Sequence, residues 1–415
     1  MRISSSQFFQ TGINAINQQQ SDLMHLYQQV ASGQRMVTPA DDPLGAAQAV
    51  NVAQSQSMNT RYAANRDVAN QNLGAEENAL NSVTSLLQDV QTRLIQAGNG
   101  TLSDADRSSL ADVLAQARDS LLDLANSKDG NGQYLFSGFQ GNTAPYVADA
   151  SGQISYAGDG NQRLVQVDPT RQMASGDVGT DIFSRATPGS RVLVTEAAAG
   201  NTGNAQISTP TVTDAQGANV GKYISIKFSD GPPLQYQVAV SDSAAAPADA
   251  DYGAPVDYDS GTSVLDLGGG VQVNFSGQPA AGDSYTVSPA DGQNMDVFGA
   301  LDDIVQALRQ PFSGDDAASS ALGNALSTAI QKVGAVYDNV LTVRASVGAR
   351  MNQLDALDDS GTAMGLSYST QLSNLQDVDY YTATAQLQLR QAALQAAALA
   401  FKQIQGTSLF NMGSS

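Results

Sequence analysis

The chain has 415 residues, a formal net charge of -20 and a sequence pI near 4.1, so nucleic acid and anionic membranes, which need Lys/Arg clusters, are poor partners for it. It has no cysteine and one histidine, His25, which excludes disulfides, thiolate nucleophiles, Cys-ligated metals and paired-histidine metal sites. Hydrophobic residues make up 41% and charged residues only 14%, so its helices carry few salt bridges.

The opening run, Met1-Arg2-Ile3-Ser4-Ser5-Ser6-Gln7-Phe8-Phe9, lacks the apolar core and small-residue cleavage site of a secretory signal. No run approaches the length of a membrane span. Residues from about 4 to 32 read as a helix with a heptad seam. Phe9, Ile16, Leu23 and Val30 form one set; Ile13, Gln20 and Tyr27 form the other. Gly33 stands where a helix C-cap glycine belongs.

A second helix opens at Asp41-Asp42-Pro43. Asp42 suits the N-cap and Pro43 the first helical position, where no N–H donor is needed. Paired carboxylates could hold a cation, but the order Asp-Asp-Pro is that of a cap. His25 has no Ser or Asp partner at catalytic spacing, so it reads as a packed or solvated helix residue. The helix runs to about Ala97, where Gly98-Asn99-Gly100 breaks it. Ser103 caps a further helix to about Ser127, striped by Leu110, Val113/Leu114, Ala117, Leu121 and Leu124.

At Lys128 the character changes. Asp129-Gly130-Asn131-Gly132 is turn chemistry and Gln133–Gly138 reads as a strand. To about Ala290 the chain is β-like and acidic, with clear strands at 223–228, 235–240, 271–275 and 285–287. Gly268-Gly269-Gly270 lacks the Lys-Ser/Thr and helix of a phosphate loop and reads as a hairpin turn. The Asp249/Asp251 and Asp257/Asp259 pairs miss calcium-loop spacing and read as solvated surface.

Helices return after Asp291: about Met295–Arg309, about Asp315–Asp359, a break at Gly361, and about Thr362–Gln405. The last carries two apolar series. Leu375, Val378, Thr382, Ala385, Leu389, Ala392, Ala396 and Leu399 keep a 3-4 spacing. Tyr380, Leu387, Leu394 and Phe401 recur on the opposite face. A helix apolar on two sides needs two partners. One candidate is the N-terminal helix; the other is a neighbouring domain or another subunit.

The expected class is α+β: a discontinuous long-helix bundle built by both termini, carrying a β-hairpin and an inserted β-rich domain. The expected divisions are 1–40 with 362–415, 41–187 with 291–361, and 188–290.

Ser32-Gly33-Gln34-Arg35 leading into Ala40-Asp41-Asp42-Pro43 resembles the N-terminal signature of the flagellin superfamily. Asp379–Ala385, through Leu389 and Ala392 to Gln405-Gly406-Thr407-Ser408-Leu409-Phe410-Asn411, resembles its C-terminal signature, and Val347–Leu354 the helix before it. Gly132–Gly138 and Gly277–Val287 look more like the hook-associated branch than the flagellins.

The resemblance implies terminal helices that pair and line an axial tube, with the insert pointing outward. It implies extracellular placement in the bacterial flagellum, after export without a cleaved signal peptide. It implies a structural adaptor between hook and filament, with no catalytic residues, cofactor or metal. The implied partners are a homo-oligomeric ring, hook-associated protein 1 and flagellin as axial neighbours, and an export chaperone, with no nucleic acid and no membrane. Arg35, Asp41, Asp42 and Pro43 are expected to form the signature turn and cap. Two other readings stay open: a filament subunit, and a secreted protein whose insert binds surfaces.

Overall fold

The computed structural model describes residues 5–150, 152–190, 192–262, 264–290, 295–311 and 315–412. Seven helices appear among them: α1 (Ser5–Ser32), α2 (Pro43–Ala97), α3 (Asp104–Ala125), a short α4 (Gly179–Phe183), α5 (Val297–Arg309), α6 (Asp316–Gln376) and α7 (Tyr380–Met412). The chain divides into two compact units, Met1–Ala64 with Ala356–Ser415, and Asn65–Asp355.

In the first unit α1 lies antiparallel to α7, and α2 alongside α6. The expected break at Gly361 does not occur, and α6 runs on to Gln376. Gly361 is buried where α6 passes α2, and its carbonyl accepts from Asn59 Nδ2 at 2.8 Å. Gly361 therefore lies inside a continuous helix beside α2 rather than at a turn. The real break is three residues, 377–379, the last of which, Asp379, caps α7 by accepting from Tyr381 N.

In the second unit one buried series of α2 keeps an alternating four and three spacing: Ala69, Leu73, Glu76, Leu80, Val83, Leu87, Val90, Leu94 and Ala97. Side chains of α6 answer from the antiparallel direction, with Arg344 on Glu77 and Tyr337 receiving Gln88. Ser103 and Asp106 form a reciprocal capping box at α3. Ala111, Leu114, Ala117, Leu121 and Ala125 are the buried stripe of α3, while Val113 is exposed. α3 packs on α5, held by Arg118–Asp302 and Arg309–Asp112.

Gln133–Gly138 is not a strand. It is an irregular loop with an isolated bridge between Lys128 and Tyr134. Phe136 plunges into a ring cluster with Phe183, itself against Tyr146 and Phe298. The loop's carbonyls are taken instead by Arg163, on Tyr134 and Gly138, and by the Tyr156 hydroxyl, on Phe136. Hairpins do follow it: β1 (Tyr146–Ala148) with β2 (Ile154–Tyr156), and β3 (Leu164–Asp168) with β4 (Arg171–Ala174).

Residues 193–289 build two facing antiparallel sheets. The first is ordered β10-β9-β8-β13-β5, from β5 (Leu193–Ala197), β8 (Tyr223–Ser229), β9 (Gln235–Ser241), β10 (Val256–Asp257) and β13 (Ser284–Pro289). The second joins β6 (Gln206–Ile207), β7 (Thr211–Val212) and β11 (Val264–Asp266) to β12 (Val271–Ser276). Val271, Val273 and Phe275 point inward and alternate with outward residues, as a half-buried strand requires. Gly268, Gly269 and Gly270 all have positive φ and turn β11 into β12. Phe228, Phe275 and Tyr285 meet edge to face between the sheets.

Candidate functional site

The first unit carries the candidate site, the faces of α1 and α7 with the turn that joins their bases. The inner seam of α7 is Tyr380, Ala383, Leu387, Arg390, Leu394, Ala397 and Phe401. Leu387, Leu394 and Phe401 are half-buried and Ala383 is 5% exposed. From α1 they meet Ile16, Leu23 and Val30, all half-buried, and Leu26, which is buried. The two ends of this seam are alike. Phe401 lies over Gly12, and the Tyr380 hydroxyl stands 3.0 Å from where a Cβ of Gly33 would be. Arg390 reaches Asp22, and Gln391 donates to the Tyr27 hydroxyl.

The structure therefore brings the expected Leu387, Leu394 and Phe401 onto α1, while Tyr380, 55% exposed, reaches only Gly33 just beyond its end. It leaves the other series open. Ala385, Ala392 and Ala396 are exposed, with Leu389 70% and Leu399 69% exposed. Ile13 (46%) and Tyr27 (45%) of α1 are exposed as well. The expected 3-4 series also begins too early, because the chain breaks at 377–379. Leu375 sits in the last turn of α6 and Val378 in the link, both half-buried. The side chain of Phe9 lies outside the described residues. Leu26 and Ala383 were missed, although each lies three residues along from a named seam position.

At the base, two antiparallel stretches meet. Arg35 N donates to Gln376 O at 2.6 Å and Val378 N to Gly33 O at 2.9 Å. The Arg35 guanidinium donates to Leu375 O through Nη2 (2.8 Å) and Nε (3.2 Å). Leu375 and Gln376 supply carbonyls from the unpaired end of α6, where a cation is favoured by the helix dipole. Asp42 accepts from Gly45 N at 2.9 Å, as an N-cap with Pro43 at the first helical position should. Asp41 does separate work. Its Oδ2 accepts from the amides of Val37 (2.9 Å) and Thr38 (2.8 Å), and its Oδ1 faces His25 Nε2 at 3.0 Å. The Thr38 amide first, and His25 after it, hold the Asp41 carboxyl below its ordinary range. His25 thus has an acidic neighbour, at a separation no catalytic motif would suggest. Thr382 likewise holds Asp379 low as it caps α7.

Among the described residues no group of three or more metal-ligating side chains is placed to hold an ion, and no helix is long and apolar enough to cross a membrane. What the surface offers is an apolar helical face beside a rigid hydrogen-bonded turn, an arrangement suited to packing.

Known proteins match this chain at both helical ends. The model of the bacterial flagellin N-terminal helical region matches residues 3–141, and that of the C-terminal helical region residues 330–412. The flagellar hook-associated protein 3 of Salmonella typhimurium is 30% identical over 99% of both chains. The crystal structure of flagellar hook-associated protein-3 from Legionella pneumophila superposes with a TM-score of 0.67 at 28% identity, covering 78% of this chain and 98% of that one. The phase 1 flagellin of Salmonella naestved matches only 30% of this chain and 25% of its own length, at 30% identity.

Proposed function

Because the chain belongs to the family of flagellar hook-associated protein 3, we propose that it is a structural axial subunit of the bacterial flagellum, the adaptor at the hook–filament junction on which flagellin assembles. The observation that carries this reading is similarity running the whole length of both chains, insert included. The filament-subunit reading has less behind it, since the matched flagellin spans 30% of this chain and 25% of its own length.

The face of α7 that carries Leu389 and Leu399 is buried against another subunit in a homo-oligomeric ring. Its exposed alanines, Ala385, Ala392 and Ala396, let helices approach closely, and the scarcity of charge avoids repulsion between repeated copies. Hook-associated protein 1 lies on one side of the ring and flagellin on the other. An export chaperone holds the chain before it leaves the cell. Three functional divisions serve this: 1–40 with 362–415 for axial packing, 41–187 with 291–361 as a rod, and 188–290 as an outer domain. The chain performs no catalysis.

The test is electron microscopy of a strain lacking the gene, with flagellin blotted in the medium. Hooks without filaments, together with free extracellular flagellin, are expected. Loss of the flagellin itself would make this chain the filament, and normal filaments would remove it from the axis.

A further inference from the structure

The buried series on α2 has one member that does not belong by polarity. Glu76 occupies a seam position between Leu73 and Leu80, and it is 1% exposed. Its Oε1 accepts from Asp177 N at 3.3 Å, but its Oε2 is buried without a hydrogen-bond partner. Beside it stands a second acid. Asp177, in the loop after β4, is paired with Arg350 of α6, whose Nη1 also reaches Ala174 O at 3.3 Å. Three segments far apart in sequence meet here with two carboxylates and one guanidinium between them.

An isolated buried charge is costly, and one arginine cannot neutralise two acids. Among the described residues lining this cavity, no further cation is free to help. Arg163 lines the same cavity but is engaged by Gly138 O, Tyr134 O and Gln133 Oε1. Asp129, also on the wall, accepts the amides of Asn131 and Gln133. The cavity has a volume of about 20 Å³, room for one water and too little for an organic ligand. Burial first, and the Asp177 charge second, push the Glu76 carboxyl well above its ordinary range.

We propose that Glu76 is carried as a neutral acid, bridged by a single water, and that Glu76, Asp177 and Arg350 form a proton-binding latch fastening the loop after β4 to α2 and α6. A polar residue on an apolar seam gives up stability and fixes register; here it also makes the fastening sensitive to pH. The folded chain holds a proton that the unfolded chain releases near pH 4.3. The latch is therefore complete below that value and is lost as pH rises through the raised folded one. The proposal is independent of the axial role.

The experiment compares the full chain with its Glu76→Gln variant, in which an amide stands in for the protonated acid. Denaturant midpoints are measured from pH 5 to pH 9. The ratio of folding equilibrium constants, wild type over variant, is expected to fall by up to about tenfold per pH unit through the affected window. Hydrogen exchange in the wild type gives a second reading that does not need the variant to fold. After correction for intrinsic rates, protection of residues 174–178 is expected to drop at alkaline pH while that of the sheet around Phe228 persists. Parallel midpoint profiles, or protection of 174–178 unchanged across the range, would overturn the proposal.

Discussion

Phe401 lies so close over Gly12 that a Cβ built at Gly12 would stand 3.1 Å from both Cδ2 and Cε2 of the ring. A glycine in a helix interior costs about 1 kcal/mol against alanine, and here it admits an aromatic ring to the seam between α1 and α7. Gly12→Leu is expected to lose about 1–3 kcal/mol by overpacking. The loss should shrink when Phe401→Ala is made in the same chain, since neighbours in contact are not additive. Helicity and hydrogen exchange across residues 10–32 provide the measure. Equal effects of Gly12→Leu with and without Phe401 would mean that the ring is not what the glycine accommodates.

Leu387 and Leu389 are two residues apart on α7 and should respond in opposite ways. Leu387 is half-buried on the inner seam, while Leu389 is 70% exposed. Leu387→Ser should destabilise the isolated chain by about 1–2 kcal/mol. Leu389→Ser should change it by less than about 0.5 kcal/mol yet abolish filament growth when it replaces the wild type in cells. Melting curves of the isolated chain and filament counts by microscopy separate the two. Normal filaments on Leu389→Ser would leave this face without its proposed partner.

Three exposed carboxylates hold turns or caps and sit below their ordinary range: Asp41 through the Thr38 amide, Asp106 through the Ser103 hydroxyl, and Asp379 through the Thr382 hydroxyl. A carboxyl lowered in the folded state contributes stability that is present above its unfolded value, roughly 3.9. That contribution fades as pH falls through the lowered folded value. Asp106→Asn should therefore be less stable than wild type at pH 7, with the gap closing below about pH 4. Denaturant midpoints at the two pH values test this, and a gap constant with pH would assign the cap no electrostatic part.

Phe228 is fully buried between the two sheets, within ring contact of Tyr258, Phe275 and Tyr285. Phe228→Ala should cost about 3–5 kcal/mol, and Phe228→Leu markedly less. The loss should appear as faster hydrogen exchange throughout residues 193–289. A change confined to β8 alone would mean that the two sheets do not unfold together.

Features that depend on local chemistry and short periods were legible in the residues alone. The capping of α2 by Asp42 with Pro43, the Ser103 cap, the glycine ending α1, the alternation of Val271, Val273 and Phe275, and the opposed series on α7 all follow from residues within one or two turns of each other. Features that depend on residues distant in the chain emerged only from packing. Gly361 became a crossing point rather than a break because α2 passes it, and Gln133–Gly138 became a loop because Phe136 found a better burial among Phe183, Tyr146 and Phe298 than in a sheet. Which of the two apolar series on α7 would face α1, why His25 stands beside Asp41, and why an acid sits on the α2 seam could not be settled from spacing. Each is fixed by groups supplied from remote segments, and local periodicity carries no information about which remote group arrives.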